Sequence, residues 1–407
     1  MRQRLQASCE RADTCESATA QPRAPARLRR PTVYEPFASE SPAGAAHSAQ
    51  ARLSRVAWVD TAKGWCIVLV VTMHSALGVG LAIDATGWLH QVVAFAKPFR
   101  MPDFFVISGL FLGRAIDLPW RAYLDRKAMH FFYFYALWLL IILSVKAGEL
   151  GILAPLPFFR AYLWGFVEPF SSMWFIQLLP FLFIAARLVR NWSLAWVLAG
   201  ASAIHIAAAV FPEGGVYAMS SAMSGWITLD SFSLFLVYFL IGHYARDWIF
   251  AFADRVAAKP AIALAALFAW AIGEEFGVRS GLSGVPGLTL AFGLAGTTAV
   301  VALSALMAKW NLAPWLAYCG RRSLFIYLAF VLPMAAMRLA LLKTELIASV
   351  GWFSLIVAAT AVATPLALEA GVRGTWLAFL FKRPDWFRLA GADGRPPAIQ
   401  EISPVRP

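Results

Sequence analysis

From Val56 to about Phe381 the chain is a series of apolar runs, each about as long as a helix needs to cross a bilayer. A helix rises about 1.5 Å per residue, so roughly 20 residues cover a hydrocarbon core of about 30 Å. Spans are expected near 57–80, 87–116, 130–146, 172–189, 192–211, 226–245, 260–274, 287–308, 323–342 and 352–381. A helix satisfies its own backbone hydrogen bonds, which lipid cannot do for it. The expected class is therefore all-α: a polytopic membrane protein of about ten transmembrane helices. Composition agrees, with 60% hydrophobic and only 14% charged residues and a mean hydropathy of +0.65. A soluble domain carries about a quarter charged residues.

Charge placement orients the spans. The net charge of +12 is gathered in tails and short loops, the pattern of a membrane topology signal rather than a nucleic-acid surface. With a basic N-terminal tail inside, the cytoplasmic connections carry Arg121, Arg126, Lys127, Arg187, Arg190, Arg246, Arg255, Lys259, Lys309, Arg321 and Arg322, followed by Lys382, Arg383 and Arg388. The opposite loops carry little beyond Arg160, Arg279 and Lys343. This alternation fits ten spans with both termini cytoplasmic, and an eleventh would spoil it.

Three regions follow. Residues 1–54 read as a disordered basic cytoplasmic tail without a signal-peptide core. Residues 55–383 form the transmembrane domain, and 384–407 a short, Pro-containing cytoplasmic tail. No soluble domain is expected at either end. The four cysteines, Cys9, Cys15, Cys66 and Cys319, have neither CxxC nor metal-ligand spacing. Neither a disulfide framework nor a metal site is expected.

Polar groups inside apolar spans are costly and need a reason. The first span reads "VDTAKGWCIVLVVTMHS" and carries Asp60, Lys63 and His74. Eleven residues at 100° each bring Lys63 and His74 onto one face, about 16 Å apart along the axis. Asp60 lies one turn before Lys63 on the same stripe. Such a stripe faces protein or a wet cavity. His74 is suited to act as a general base, or to make a hydrogen bond between helices. Lys63 is placed to hold an anion, to snorkel, or to pair with Asp60.

The second constellation is "FAKPFRMPDFFVISGLFLG". Pro98 and Pro102 interrupt a helix there, and Lys97, Arg100 and Asp103 crowd the break. Irregular backbone at membrane depth belongs where it lines a cavity or is buried in protein. Arg100 and Asp103 could also neutralise each other. Ser108-Gly109 permits a close approach of another backbone or a thin ligand. In "SSMWFIQLL", Ser171, Ser172 and Trp174 form an interfacial anchor or a substrate-lining edge. His205, Asp230, His243 and Glu369 read as structural or interfacial groups, and Glu274 and Glu275 as solvated residues of an outer loop.

On these residues the chain resembles the membrane-bound acyltransferase-3 family. The matching stretches are "VDTAKGWCIVLVVTMHS", "FRMPDFFVISGLFLG", "MWFIQLLPFLF", "YFLIGHYAR" and "YCGRRSLFIYLAF", in family order. Members often carry histidine where this chain has Ser172, histidine where it has Phe330, and an apolar residue where it has Asp103. The resemblance implies a stand-alone O-acyltransferase in the bacterial inner membrane. It implies transfer of an acetyl or other small acyl group from cytoplasmic acyl-CoA, a co-substrate rather than a resident cofactor. The implied acceptor is a hydroxyl of an extracytoplasmic glycan, glycolipid or related molecule. The family's leading pair falls on Lys63 and His74. Asp60, Arg100, Asp103, Ser108, Ser172 and Trp174 would line the passage, and Arg126 and Lys127 would meet the CoA moiety. The competing reading is a secondary transporter, since broken helices and intramembrane charges mark those too. Against it, no paired interruptions recur in two halves of the sequence.

Overall fold

The computed structural model describes residues 42–210, 227–344 and 349–389. The chain divides into two units, Met1–Ser48 and Ala49–Pro407. The first is described only from Pro42, where helix α1 (Pro42–Ile83) begins. The last residues of the expected tail are thus helical, and residues 1–41 lie outside the described residues. Among the described residues there is no strand, and the all-helical class holds.

Six helices are long and apolar enough to cross a membrane: Ala57–Ile83, Trp120–Lys146, Ile227–Tyr244, Pro260–Arg279, Leu288–Lys309 and Val350–Val372. Ser323–Ala329 (α14) and Val331–Thr344 (α15) pass together as one span bent by 55°. Pro333 explains the bend, because its ring excludes a helical bond to the carbonyl four residues earlier. Two further apolar helices, α7 (Trp174–Val189) and α8 (Leu194–Val210), are shorter. The protein is a polytopic helical membrane protein.

The expected 87–116 span is two short helices, α2 (Trp88–Ala96) and α3 (Arg100–Leu110). The break falls at residues 97–99, around Pro98. Pro102 lies in the first turn of α3, where a missing N–H costs nothing. The third span starts earlier than the hydropathy suggests. It runs through α4 (Trp120–Leu124), a π-helical turn at Asp125–Met129 and α5 (His130–Lys146). Arg126 and Lys127 therefore sit within a continuous helix rather than in a loop. The last span also differs. The helix α16 (Val350–Val372) stops short, and Gly374 (φ 82°) turns the chain into a 3-10 segment at Trp376–Leu380.

Residues 384–389 are not a free tail. Arg383 and Leu389 both bind Asp125 of the π turn, and the Phe387 ring packs 5.0 Å from Tyr133. Glu274 is likewise not in a solvated loop. It is buried on α11 (Pro260–Arg279) and accepts a bond from Trp270 Nε1 at 3.1 Å.

α3 is the innermost helix, with Phe105, Val106, Ile107 and Leu110 all buried. It packs on α9 (Ile227–Tyr244) through glycines on both sides. A Cβ on Gly109 would overlap Phe239 O, and one on Gly242 would overlap Val106 O. The close backbone approach expected of Ser108-Gly109 is therefore real. Phe105 stacks on Phe235 at 4.6 Å, and Trp174 on the same ring at 5.7 Å. Gly242→Ala should cost about 2 kcal/mol, because two backbones must separate to admit one methyl group. A lowered thermal midpoint in detergent, with the same size-exclusion profile, is the expected reading; an unchanged midpoint would show that this seam tolerates separation.

Candidate functional site

α1 carries both members of the expected pair without interruption. Lys63 and His74 line two different cavities along it. The first, of about 260 Å³, is lined by Lys63, Cys66, Ser108, Lys127, His130 and Tyr327 among apolar and aromatic neighbours. The second, of about 190 Å³, is lined by His74, Gly78, Lys146, Ser172, Phe330 and Arg338 with apolar residues between them.

Side-chain contacts join the walls of the two. Tyr327, which lines the first cavity, donates a short hydrogen bond to the carbonyl of Ser172, which lines the second. Phe330 lies one turn beyond Tyr327 at a ring distance of 6.3 Å and packs 5.4 Å from the His74 ring. The position at which the family often has histidine is thus used here to cover a histidine with a phenyl face.

The ammonium groups of the first cavity are held by aromatic and carbonyl partners. Lys63 Nζ lies 3.9 Å from the centre of the Phe111 ring. Lys127 Nζ donates to Phe111 O at 2.8 Å and sits 4.9 Å from the Phe183 ring centre. Two cations thus meet over one residue, at the end of a mostly apolar cavity. Neither is in an ion pair with a carboxylate among the described residues. Asp60, one turn away, pairs instead with Arg321 at 3.7 Å. The electrostatic attraction between Asp60 and Lys63 open in the sequence is thus joined by a contact between distant helices.

His74 contrasts with His205. Both nitrogens of His205 are engaged, by Leu234 O at 2.8 Å and Thr289 Oγ1 at 3.0 Å, and the residue is fully buried. That is the structural role expected of it. His74 has no hydrogen-bond partner among the described residues and lines a cavity. The hydrogen bond between helices that would explain it structurally is absent there.

The other expected residues divide. Ser108 reaches the first cavity while donating to Phe104 O at 2.7 Å. Ser172 reaches the second. Arg126 is exposed and lines neither, unlike Lys127. Trp174 is part of the aromatic stack on Phe235 and lines neither of these cavities. Arg100 and Asp103 are buried on α3, 8% and 1% exposed, and line neither cavity. The hydroxyl of Thr297 is committed to Gly293 O at 2.8 Å, and both Asp103 carboxyl oxygens lack a hydrogen-bond partner among the described residues. The sequence reading did not single out Tyr327, His130, Lys146 or Arg338. Only the helix packing assembles them, from segments far apart in the chain. No group of His, Cys, Asp and Glu that could hold a metal occurs among the described residues.

Residues 56–368 match the acyltransferase domain of the acyltransferase-3 family. The chain is also 35% identical over 91 residues to the inner membrane protein YcfT of Escherichia coli (strain K12). That stretch covers 20% of this chain and 25% of the relative, so the chain spans about a quarter of the length of the protein it matches. No solved structure matches it. The two-cavity site lies on helices within the matched region, and the chain belongs to the acyltransferase-3 family of membrane acyltransferases.

Proposed function

We propose that the chain transfers an acetyl or other small acyl group from cytoplasmic acyl-CoA to a hydroxyl of an extracytoplasmic glycan or related acceptor. One observation carries this reading: a dilysine cavity and a histidine cavity are both lined from one face of one helix, and a hydrogen bond from Tyr327 to Ser172 joins their walls. Lys63 and Lys127 suit the phosphates of CoA, which are compact anions. Apolar walls suit the pantetheine arm, and the separation of about 16 Å between Lys63 and His74 is a distance that arm can cover. The acceptor meets the thioester at His74.

In the reaction His74 takes the proton of the acceptor hydroxyl as its oxygen attacks the thioester carbonyl carbon. The tetrahedral intermediate collapses with cleavage of the carbon–sulfur bond. CoA leaves as a thiolate and takes up a proton, and the product is an ester.

Two measurements test this. Purified protein should be stabilised against heat by CoA, and the Lys63→Gln/Lys127→Gln variant should lose most of that shift. Mass spectrometry of surface glycans and extracted lipids should show an acyl-sized mass lost on deletion of the gene and restored by the wild type. No CoA-induced shift together with no altered acyl-bearing molecule would overturn the reading and turn attention to transport.

A further inference from the structure

The second cavity carries more positive charge than the transfer of an acyl group to a neutral hydroxyl requires. Lys146, at the end of α5, and Arg338, on α15, both line it, and no carboxylate does. Arg338 Nη1 donates to Gly78 O at 3.1 Å, which ties the guanidinium to the helix that bears His74. A Cβ on Gly78 would stand 2.6 Å from Arg338 Nη1, so a larger residue there would displace the end of that side chain. Lys146 lies on the other side, its Nζ 5.8 Å from the centre of the Phe170 ring. Neither cation is ion-paired with a carboxylate among the described residues.

A second observation points into the same space. Ser172 is 3% exposed and lines this cavity, yet its Oγ has no hydrogen-bond partner among the described residues. A buried hydroxyl left without a partner costs about 1–3 kcal/mol, so this one is placed for something that enters. Cations near helix ends commonly serve only as interfacial anchors. That role does not explain two of them converging on one small cavity with an unsatisfied hydroxyl and an unbonded imidazole.

We propose that the acceptor is anionic: the hydroxyl presented to His74 belongs to a sugar or polyol that also carries a carboxylate or a phosphate, gripped between Arg338 and Lys146, with Ser172 bonding a neighbouring oxygen. This rests on the acyl-transfer reading for the identity of the second cavity. The anion site itself is a separate matter and is tested by binding.

The probes are methyl glucuronide for a carboxylate, glucose 1-phosphate for a phosphate, and methyl glucoside as the neutral counterpart. Each is titrated into purified full-length protein by calorimetry, and each is then offered as acceptor with labelled acetyl-CoA. At least one anionic probe should bind about tenfold or more tighter than methyl glucoside. Whichever of the two binds better identifies the anion class. Arg338→Gln and Lys146→Gln should each weaken that binding about tenfold, the loss of one charge-assisted contact, and Arg338→Lys should restore part of it. Ser172→Ala, whose lost hydroxyl has no hydrogen-bond partner among the described residues, should weaken it several-fold with a thermal midpoint no lower than that of the wild type. Equal binding of neutral and anionic probes, no binding of either anion, or indifference to all the variants would overturn the proposal. Anion binding that depends on Arg338, without label transfer to any probe and without CoA stabilisation, would leave the anion site standing and remove the acyl-transfer reading instead.

Discussion

His74→Ala is expected to lower acyl transfer about a hundred- to ten-thousand-fold, the usual contribution of a positioned general base, while leaving the affinity for CoA unchanged. The two effects separate because His74 and the lysines line different cavities. The fold should survive. The imidazole makes no hydrogen bond among the described residues, and its ring contact with Phe330 at 5.4 Å is worth about 1 kcal/mol. His205→Ala is the matched control. It strands Leu234 O and Thr289 Oγ1, which the His205 ring now engages at 2.8 Å and 3.0 Å. That variant should melt lower yet keep its activity per folded molecule. Single-turnover transfer of a labelled acetyl group, with CoA titrated separately, distinguishes the two histidines. A His74→Ala enzyme working at the wild-type rate would falsify the assignment of the base.

How much of this was legible in the sequence depends on how local each feature is. The stripe of Lys63 and His74 follows from helical period alone, and α1 is one unbroken helix. The break around Pro98 follows from the chemistry of proline. Hydropathy misplaced the boundary before His130, because Asp125, Arg126 and Lys127 look like a loop and are a π turn inside a helix. It also placed Glu274 in solvent, because two adjacent glutamates resemble a surface end. Their helix runs on to Arg279, and Trp270, one turn back, takes Glu274 in. The contact between the walls of the two cavities could not be read at all. Tyr327 and Ser172 are 155 residues apart, and only packing brings them together. Lys146 and Arg338 carry no local signal in the sequence for the same reason.

Arg383→Ala is the second large effect, and it acts on the donor side. Arg383 Nη2 meets Asp125 Oδ2 at 2.6 Å, and Nη1 donates to Asp125 O at 2.7 Å. Leu389 N–H binds the other carboxyl oxygen at 2.9 Å. The two charged side chains are 10% and 8% exposed, so removing the arginine leaves a buried, uncompensated carboxylate. Such a loss costs about 3–5 kcal/mol. Arg383→Met combined with Asp125→Leu should cost much less, because both desolvated charges leave together. The arginine also braces a functional residue. Asp125 sits in the π turn that carries Lys127, whose Nζ depends on that turn to reach Phe111 O at 2.8 Å. The single variant should therefore melt much lower than wild type and lose most of its stabilisation by CoA, with anion binding at Arg338 retained below its own melting point. Melting curves in detergent, with and without CoA, check both effects. A normal CoA shift in Arg383→Ala would mean that Lys127 holds its place without the C-terminal segment, and the brace would be structural only.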